Sequence, residues 1–222
     1  MFPQKPFEPP KEFFDNPEQR CACVLLLDTS GSMAGQPISA VNDGIRAFKE
    51  ALMTDELAVK RVDLAIVTFG PVEIVRDFQT ADDFQPPTLE AKGDTPMGEA
   101  IRQAITMVRN RKDTYKENRI AYYRPWIFLI TDGAPTDAWK SAATSVHEGE
   151  AAKGFNFFAV GVEGANLETL KEISPPNRQP VMLKGLNFRE LFIWLSSSLS
   201  TVSHSKPGDE VSLPHPTGWA TI

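Results

Sequence analysis

Short, almost unbroken apolar runs that end in polar residues set the strongest limit on how this chain can fold. "CACVLLLD" (Cys21–Asp28), "VDLAIVTF" (Val62–Phe69), "WIFLI" inside "PWIFLITDGAPTD" (Pro125–Asp137) and "FNFFAVGVE" (Phe155–Glu163) each have about the length of one strand. Strands that are apolar without alternation are buried on both faces, as central strands of a parallel sheet covered by helices are. The segments between them carry helical periodicity. Ile38, Val41, Ile45, Phe48 and Leu52 recur at three- and four-residue steps behind Pro37, which suits a first helical turn. Ile101, Ile105 and Val108 repeat the pattern behind Pro96. Further helices are expected from about Trp139 to Lys153, over "LETLKEIS" and over "FRELFIWLSSSLSTVS", with a short strand in "PVMLKGL". "VEIVRDF", after Gly70-Pro71, reads as the hairpin partner of Val62–Phe69.

Strands alternating with helices predict an α/β protein. The expected architecture is Rossmann-like and doubly wound. Its sheet is mostly parallel with one antiparallel edge strand, and helices cover both faces. A chain of 222 residues is long enough for one such core. Residues 1–19 carry Pro3, Pro6, Pro9, Pro10 and Pro17 and are expected to form an extended arm. Residues 20–203 form the domain. Residues 204–222 form a Pro- and Gly-rich tail whose end, "GWATI", either docks on the domain or frays.

Charge and composition narrow the partners. The net charge is −6 with no long basic block, which argues against nucleic acid. The densest basic patch, "RNRK" (Arg109–Lys112), is expected at a helix end, where cations suit the dipole. Cys21 and Cys23 share one strand face and read as small core residues in a reducing compartment. No apolar run is long enough to span a bilayer, and the first residues lack the apolar core of a secretory signal. The expectation is a soluble, cytoplasmic protein without membrane contact.

In sheets of this kind ligands bind beyond the carboxyl ends of the strands. The residues there are Asp28, Ser30 and Ser32 after the first strand and Asp132 after "WIFLIT"; Thr95 in "GDTPMG" adds a hydroxyl from a separate loop. All five offer hard oxygens, and few carboxylates among hydroxyls suit Mg²⁺, with Mn²⁺ or Ca²⁺ as alternatives. Two neighbouring carboxylates repel, and a divalent ion offsets that repulsion. Gly31 is expected to give the sharp turn that lets both serines face inward. Asp94 reads as a helix cap in preference to a sixth ligand, and Asp137 as a cap for the helix near Trp139. Met33 reads as a residue that packs or rims the site, Trp139 as half-buried packing or part of a partner surface, Tyr122 and Tyr123 as packed loop tyrosines that could also anchor an interface, and His147 as a surface residue.

"DTSGSM", "GDTPMG" and "ITDGAPTD", in that order, resemble the metal-ion-dependent adhesion site of von Willebrand factor A domains, over roughly residues 20–203. That site uses D-x-S-x-S, then a Thr, then an Asp, which map onto Asp28, Ser30, Ser32, Thr95 and Asp132 without departure. The resemblance implies a non-enzymatic module. Its metal keeps a position open for an Asp or Glu carboxylate of a protein partner. "TPMGEAI" and "TDGAPTD" look most like bacterial stand-alone A-domain proteins of tellurite-resistance and related stress clusters, which implies a kinase or phosphatase among the partners. Two other readings compete. One is a Mg²⁺-dependent phosphohydrolase of haloacid-dehalogenase type, which would need D-x-D where this chain has Asp28 and Ser30. The other is a scaffold whose metal site is vestigial.

Overall fold

A computed structural model of the chain describes residues 11–216 and 218–221. The elements run α1 (Lys11–Asp15), β1 (Cys21–Asp28), a single 3-10 turn (Gly31–Met33), α2 (Gln36–Leu52), α3 (Glu56–Arg61), β2 (Val62–Phe69), β3 (Glu73–Thr80) and α4 (Met97–Glu117). They continue with β4 (Trp126–Thr131), α5 (Lys140–Ala151), β5 (Asn156–Gly161), α6 (Leu167–Ile173), β6 (Val181–Leu183), α7 (Phe188–Ser203) and β7 (Ala220–Thr221). The strands form one sheet in the order β3-β2-β1-β4-β5-β6-β7. β2, β1, β4, β5 and β6 are parallel neighbours, and β3 pairs antiparallel with β2. The expected α/β architecture is therefore present, with one addition: β7 closes the other edge as a second antiparallel strand.

The unbroken apolar runs resolve into two faces with a period of two. On β1, Cys21, Cys23, Leu25 and Leu27 face a layer built by α2 and α7, with Val41, Ile45, Phe48, Leu191, Phe192 and Leu195. Val24 and Leu26 face α4, α5 and α6, meeting Ile101, Ile105, Val146 and Leu170. Both cysteines are free and fully buried. Burial, followed by the nearby Asp63 charge, pushes the Cys21 thiol up to about 12. A thiol held there does not ionise at neutral pH and packs as a small apolar group.

Several expectations change. Within residues 1–19, read as an extended arm, Lys11–Asp15 are helical and Phe13 is 2% exposed; residues 1–10 lie outside the described residues. No element was expected between Leu52 and Val62, yet α3 forms there because the Asp55 side chain accepts from the backbone N–H of Leu57 and Ala58. Arg111 is not a helix-end cation. α4 continues to Glu117, so Arg111 falls in its interior and is buried against β2. His147, expected at the surface, is half-buried, and its Nε2 lies 3.0 Å from the Ser174 carbonyl.

The tail is also ordered. Trp219 is 2% exposed and packs on Trp194 of α7 with ring centroids 5.2 Å apart. Trp194 Nε1 donates to the Pro214 carbonyl at 2.8 Å, and the Lys184 N–H donates to the Trp219 carbonyl at 2.8 Å. The segment thus straps α7 onto the sheet. Trp219→Ala is expected to destabilise the chain by about 3 kcal/mol. That is the low end for a buried Trp, because its Nε1 has no hydrogen-bond partner among the described residues. Urea unfolding reads the loss, and faster proteolysis after Lys206 locates it in the tail.

Candidate metal centre

β1 and β4 are parallel neighbours with Leu27 opposite Ile130, so Asp28 and Thr131 leave the sheet side by side. The turn after β1 carries the serines, and the loop after β4 carries Asp132. The Asp28 carboxylate accepts from the Ser30 N–H at 2.8 Å and from Thr131 Oγ1. Ser30 Oγ and Ser32 Oγ lie 3.0 Å apart, and Ser32 Oγ donates to Asp132 Oδ1 at 2.8 Å. Four of the five residues singled out from the sequence therefore form one hydrogen-bonded cluster.

Thr95, the fifth, arrives from the loop before α4. A Cβ on Gly133 would lie 3.4 Å from Thr95 Oγ1 and 3.9 Å from Asp28 Oδ2, so both oxygens flank the same spot. The Thr95 backbone is fixed from both sides. Its N–H donates to Thr136 Oγ1 at 3.1 Å, and its carbonyl accepts from the Thr136 N–H at 2.9 Å. Thr136 was not singled out from the sequence. Its signal was its place in "TDGAPTD", four residues after Asp132.

Glycine is required beside the cluster, but not at Gly31. That residue lies outside the left-handed region, and a Cβ there would meet the Gly93 carbonyl at an ordinary 3.6 Å. The demanding positions are Gly70 (φ 156°) and Gly93 (φ 73°). A Cβ on Gly70 would approach the Lys92 and Thr29 carbonyls to 2.6 Å, and one on Gly93 would approach the Gly70 carbonyl to 2.7 Å. Their close approach clamps the 92–95 loop onto the serine turn. There Lys92 N–H donates to Thr29 O at 2.7 Å and Gly31 N–H to Gly93 O at 3.0 Å.

The two expected caps also change. Asp94 is exposed and caps nothing among the described residues. Asp137 caps α4 rather than α5, accepting from Gly98 N–H at 2.9 Å and Glu99 N–H at 2.7 Å. It thereby ties the loop after β4 to the helix that follows Thr95. Met33 is fully buried and packs, as expected.

The cluster has a closed and an open side. Asp28, Ser30 and Thr95 are buried, whereas Asp132 is half-buried and Ser32 exposed. Burial holds the Asp28 carboxyl above its usual range. The hydrogen bonds from Ser30 and Thr131 oppose that shift, and the Asp132 charge adds to it. Among the described residues no Lys or Arg forms an ion pair with either carboxylate. Nor does any group of three or more His, Cys, Asp or Glu side chains converge as a metal cage. The donor set consists of two carboxylates and three hydroxyls, all hard oxygens, with uncompensated negative charge. It fits a divalent cation that keeps part of its coordination for other ligands.

Comparison with known proteins agrees with this architecture. The von Willebrand factor type A domain model matches residues 23–191. No curated protein matches the chain in a sequence search. Among solved structures, the open conformation of the pilus adhesin SpaC from Lactobacillus rhamnosus GG is similar with a TM-score of 0.66 and 14% identity, covering 83% of this chain and 30% of that one. Proximal thread matrix protein 1 from the mussel byssus, with a zinc-occupied MIDAS motif, is similar with a TM-score of 0.56 and 13% identity, covering 82% and 48%. The manganese-loaded TRAP protein of Plasmodium vivax has a TM-score of 0.50 and 17% identity, covering 80% and 73%. The chain thus spans less than a third of the adhesin's length and about half of the byssus protein's. Among the described residues no helix is long and apolar enough to cross a membrane. With the family model matching well over half its length, this chain belongs to the von Willebrand factor type A domain family.

Proposed function

We propose that this chain is a non-enzymatic, divalent-metal-dependent protein-binding module. Asp28, Ser30, Ser32, Thr95 and Asp132 hold the ion, Mg²⁺ being the first choice and Mn²⁺ or Ca²⁺ alternatives. The partner is a protein that presents an Asp or Glu carboxylate. The observation that carries this reading is the hydrogen-bonded chain Asp28–Ser30–Ser32–Asp132, buried at one end, open at the other and, among the described residues, without an ion-paired Lys or Arg.

When bound, the ion supplies a Lewis-acidic face for an anion. The chain's own residues do the positioning. Thr131 orients Asp28 from below, Thr136 fixes Thr95, and Asp137 pins the α4 start to the β4 loop. The zinc-occupied MIDAS motif of the byssus protein, and the manganese loading of TRAP, support a metal role for this chain. No observation favours a phosphohydrolase. The position where that chemistry needs a second carboxylate is Ser30, whose hydroxyl contacts Ser32. The resemblance of "TPMGEAI" and "TDGAPTD" to bacterial stand-alone A-domain proteins supports a bacterial stress setting with a kinase or phosphatase as partner.

The test is retention of a partner on immobilised chain. Capture in Mg²⁺ or Mn²⁺, release by EDTA and loss in Ser32→Ala are expected. Equal capture in EDTA contradicts the proposal.

Metal affinity also has a pH signature. Because Asp28 sits above its usual range in the folded chain, lowering pH protonates it early and weakens binding. Between the ordinary carboxylate value and the raised one, each ion bound displaces a proton. Calorimetric titration in buffers of different ionisation heat reads that proton release, and affinity is expected to rise with pH through the same window.

A further inference from the structure

The end of the sheet opposite the proposed metal centre holds a cavity of about 780 Å³ between the starts of β4 and β5, the end of α7 and the tail. Its volume lies within the range of small-molecule sites. Lys112, Arg124, Lys153 and Arg178 line it. Their charges are not balanced. Arg124 and Arg178 share one buried carboxylate, Glu150, which also accepts from the Phe157 N–H at 2.7 Å. Among the described residues Lys112 Nζ donates only to the Gly154 carbonyl, at 3.0 Å. Neither Lys112 nor Lys153 forms an ion pair among the described residues.

Asp209 and Glu210 of the tail also line the cavity but pair with none of these cations. Asp209 instead accepts from the Lys206 N–H at 2.9 Å. Lys112 and Arg178 are both held below their usual ranges, chiefly by burial. Burial lowers Lys112, Lys116 lowers it further, and Arg124 and Arg109 add to this against the opposing Asp113 charge. Burial likewise lowers Arg178, with Glu150 opposing and Arg124 adding to the effect.

The rest of the lining is apolar. Phe158 lies against Trp126 with ring centroids 4.7 Å apart, and the Arg178 guanidinium stacks over the Phe158 ring at 4.5 Å. Val202, Val211 and Leu213 complete it from α7 and the tail. The four cations exceed the three carboxylates Glu150, Asp209 and Glu210 by one, and that excess beside apolar surface suits a ligand that is anionic at one end and apolar at the other. Arg124 Nε and Nη2 are taken by the Phe155 carbonyl and Glu150, and Arg178 Nη1 and Nη2 by Glu150 and Asn156, so among the described residues Arg124 Nη1, Arg178 Nε and the two lysine ammoniums are the donors left for the oxygens of a phosphate.

We propose that this cavity is a second binding site, for a small organic phosphate. The phosphate meets Lys112, Lys153, Arg124 and Arg178, and the organic part lies on Phe158, Val211 and Leu213. The site is independent of the metal centre, so it is tested in EDTA, where no ion at the other end of the sheet can capture phosphate.

Adenosine 5′-monophosphate, inorganic phosphate and adenosine serve as probes in calorimetric titrations of the full chain. Saturable binding of the monophosphate, weaker binding of inorganic phosphate and none of adenosine are expected. Lys112→Ala/Lys153→Ala should weaken the monophosphate by about tenfold or more, as the loss of charge-assisted hydrogen bonds does. Both side chains lie outside the Glu150 cluster, so the variant keeps its fold, which urea unfolding verifies. Failure of both phosphates to bind, or equal binding by the double variant, overturns the site. Equal affinity for the monophosphate and inorganic phosphate overturns the apolar half of the assignment.

Discussion

Asp63→Ala is expected to cost about 3–5 kcal/mol of stability, because it strands buried positive charge. Asp63 lies at the start of β2, fully buried, at the end of the sheet away from the proposed metal. Its Oδ1 lies 3.3 Å from Arg20 Nη1 and its Oδ2 lies 2.7 Å from Arg111 Nη2, while Tyr115 also donates to Oδ2. Glu12 from α1 pairs with Arg111 at 3.0 and 3.1 Å, and Phe13 covers both guanidiniums at 5.5 and 5.2 Å from its ring centroid. Without Asp63, Arg20 keeps its carbonyl partners at Lys60, Glu12 and Asn16 but loses its only anionic partner among the described residues. Urea unfolding should show a large fall in midpoint. A loss below about 1 kcal/mol would mean that the cluster relaxes or admits water, contrary to the account.

Asp28→Asn is expected to abolish metal binding while leaving the metal-free chain as stable as the wild type, or more so. The two effects share one cause. Burial and the neighbouring Asp132 make the ionised carboxylate costly in the folded chain, so its folded-state pKa lies above the unfolded one. A group raised in this way contributes stability at low pH that is lost as pH rises through the raised value. An amide carries no charge to desolvate. In metal-free buffer at neutral pH the variant should therefore melt at or above the wild type. With metal at about 100 times its dissociation constant, the wild type gains about 2.7 kcal/mol and the variant gains nothing, so the order reverses. Paired melts with and without Mn²⁺ read both signs in one experiment.

The central sheet was legible because its strands are apolar on both faces. A run such as "CACVLLLD" fits little else, and α7 was read at its observed limits. The meeting of Asp28, Ser30, Ser32 and Asp132 was legible too, because parallel strands must deliver their following turns to one end. The misreadings fall where side chains act at long range. Asp63 sits inside an apolar strand and has no local signal; its meaning lies 48 residues on, at Arg111. Asp137 precedes one helix but caps another, 38 residues back. Trp219 lies in a Pro- and Gly-rich tail and is ordered by a tryptophan on α7. Gly70 and Gly93, not Gly31, carry the backbone requirement, because it arises between two loops rather than within one.

The most direct test of the central claim is a titration of metal-free chain with Mn²⁺, read by calorimetry, with Asp28→Asn beside the wild type. The account predicts one saturable site in the wild type, competed by Mg²⁺, and none in the variant. Absence of binding in the folded wild type, or the same isotherm from Asp28→Asn, would contradict it.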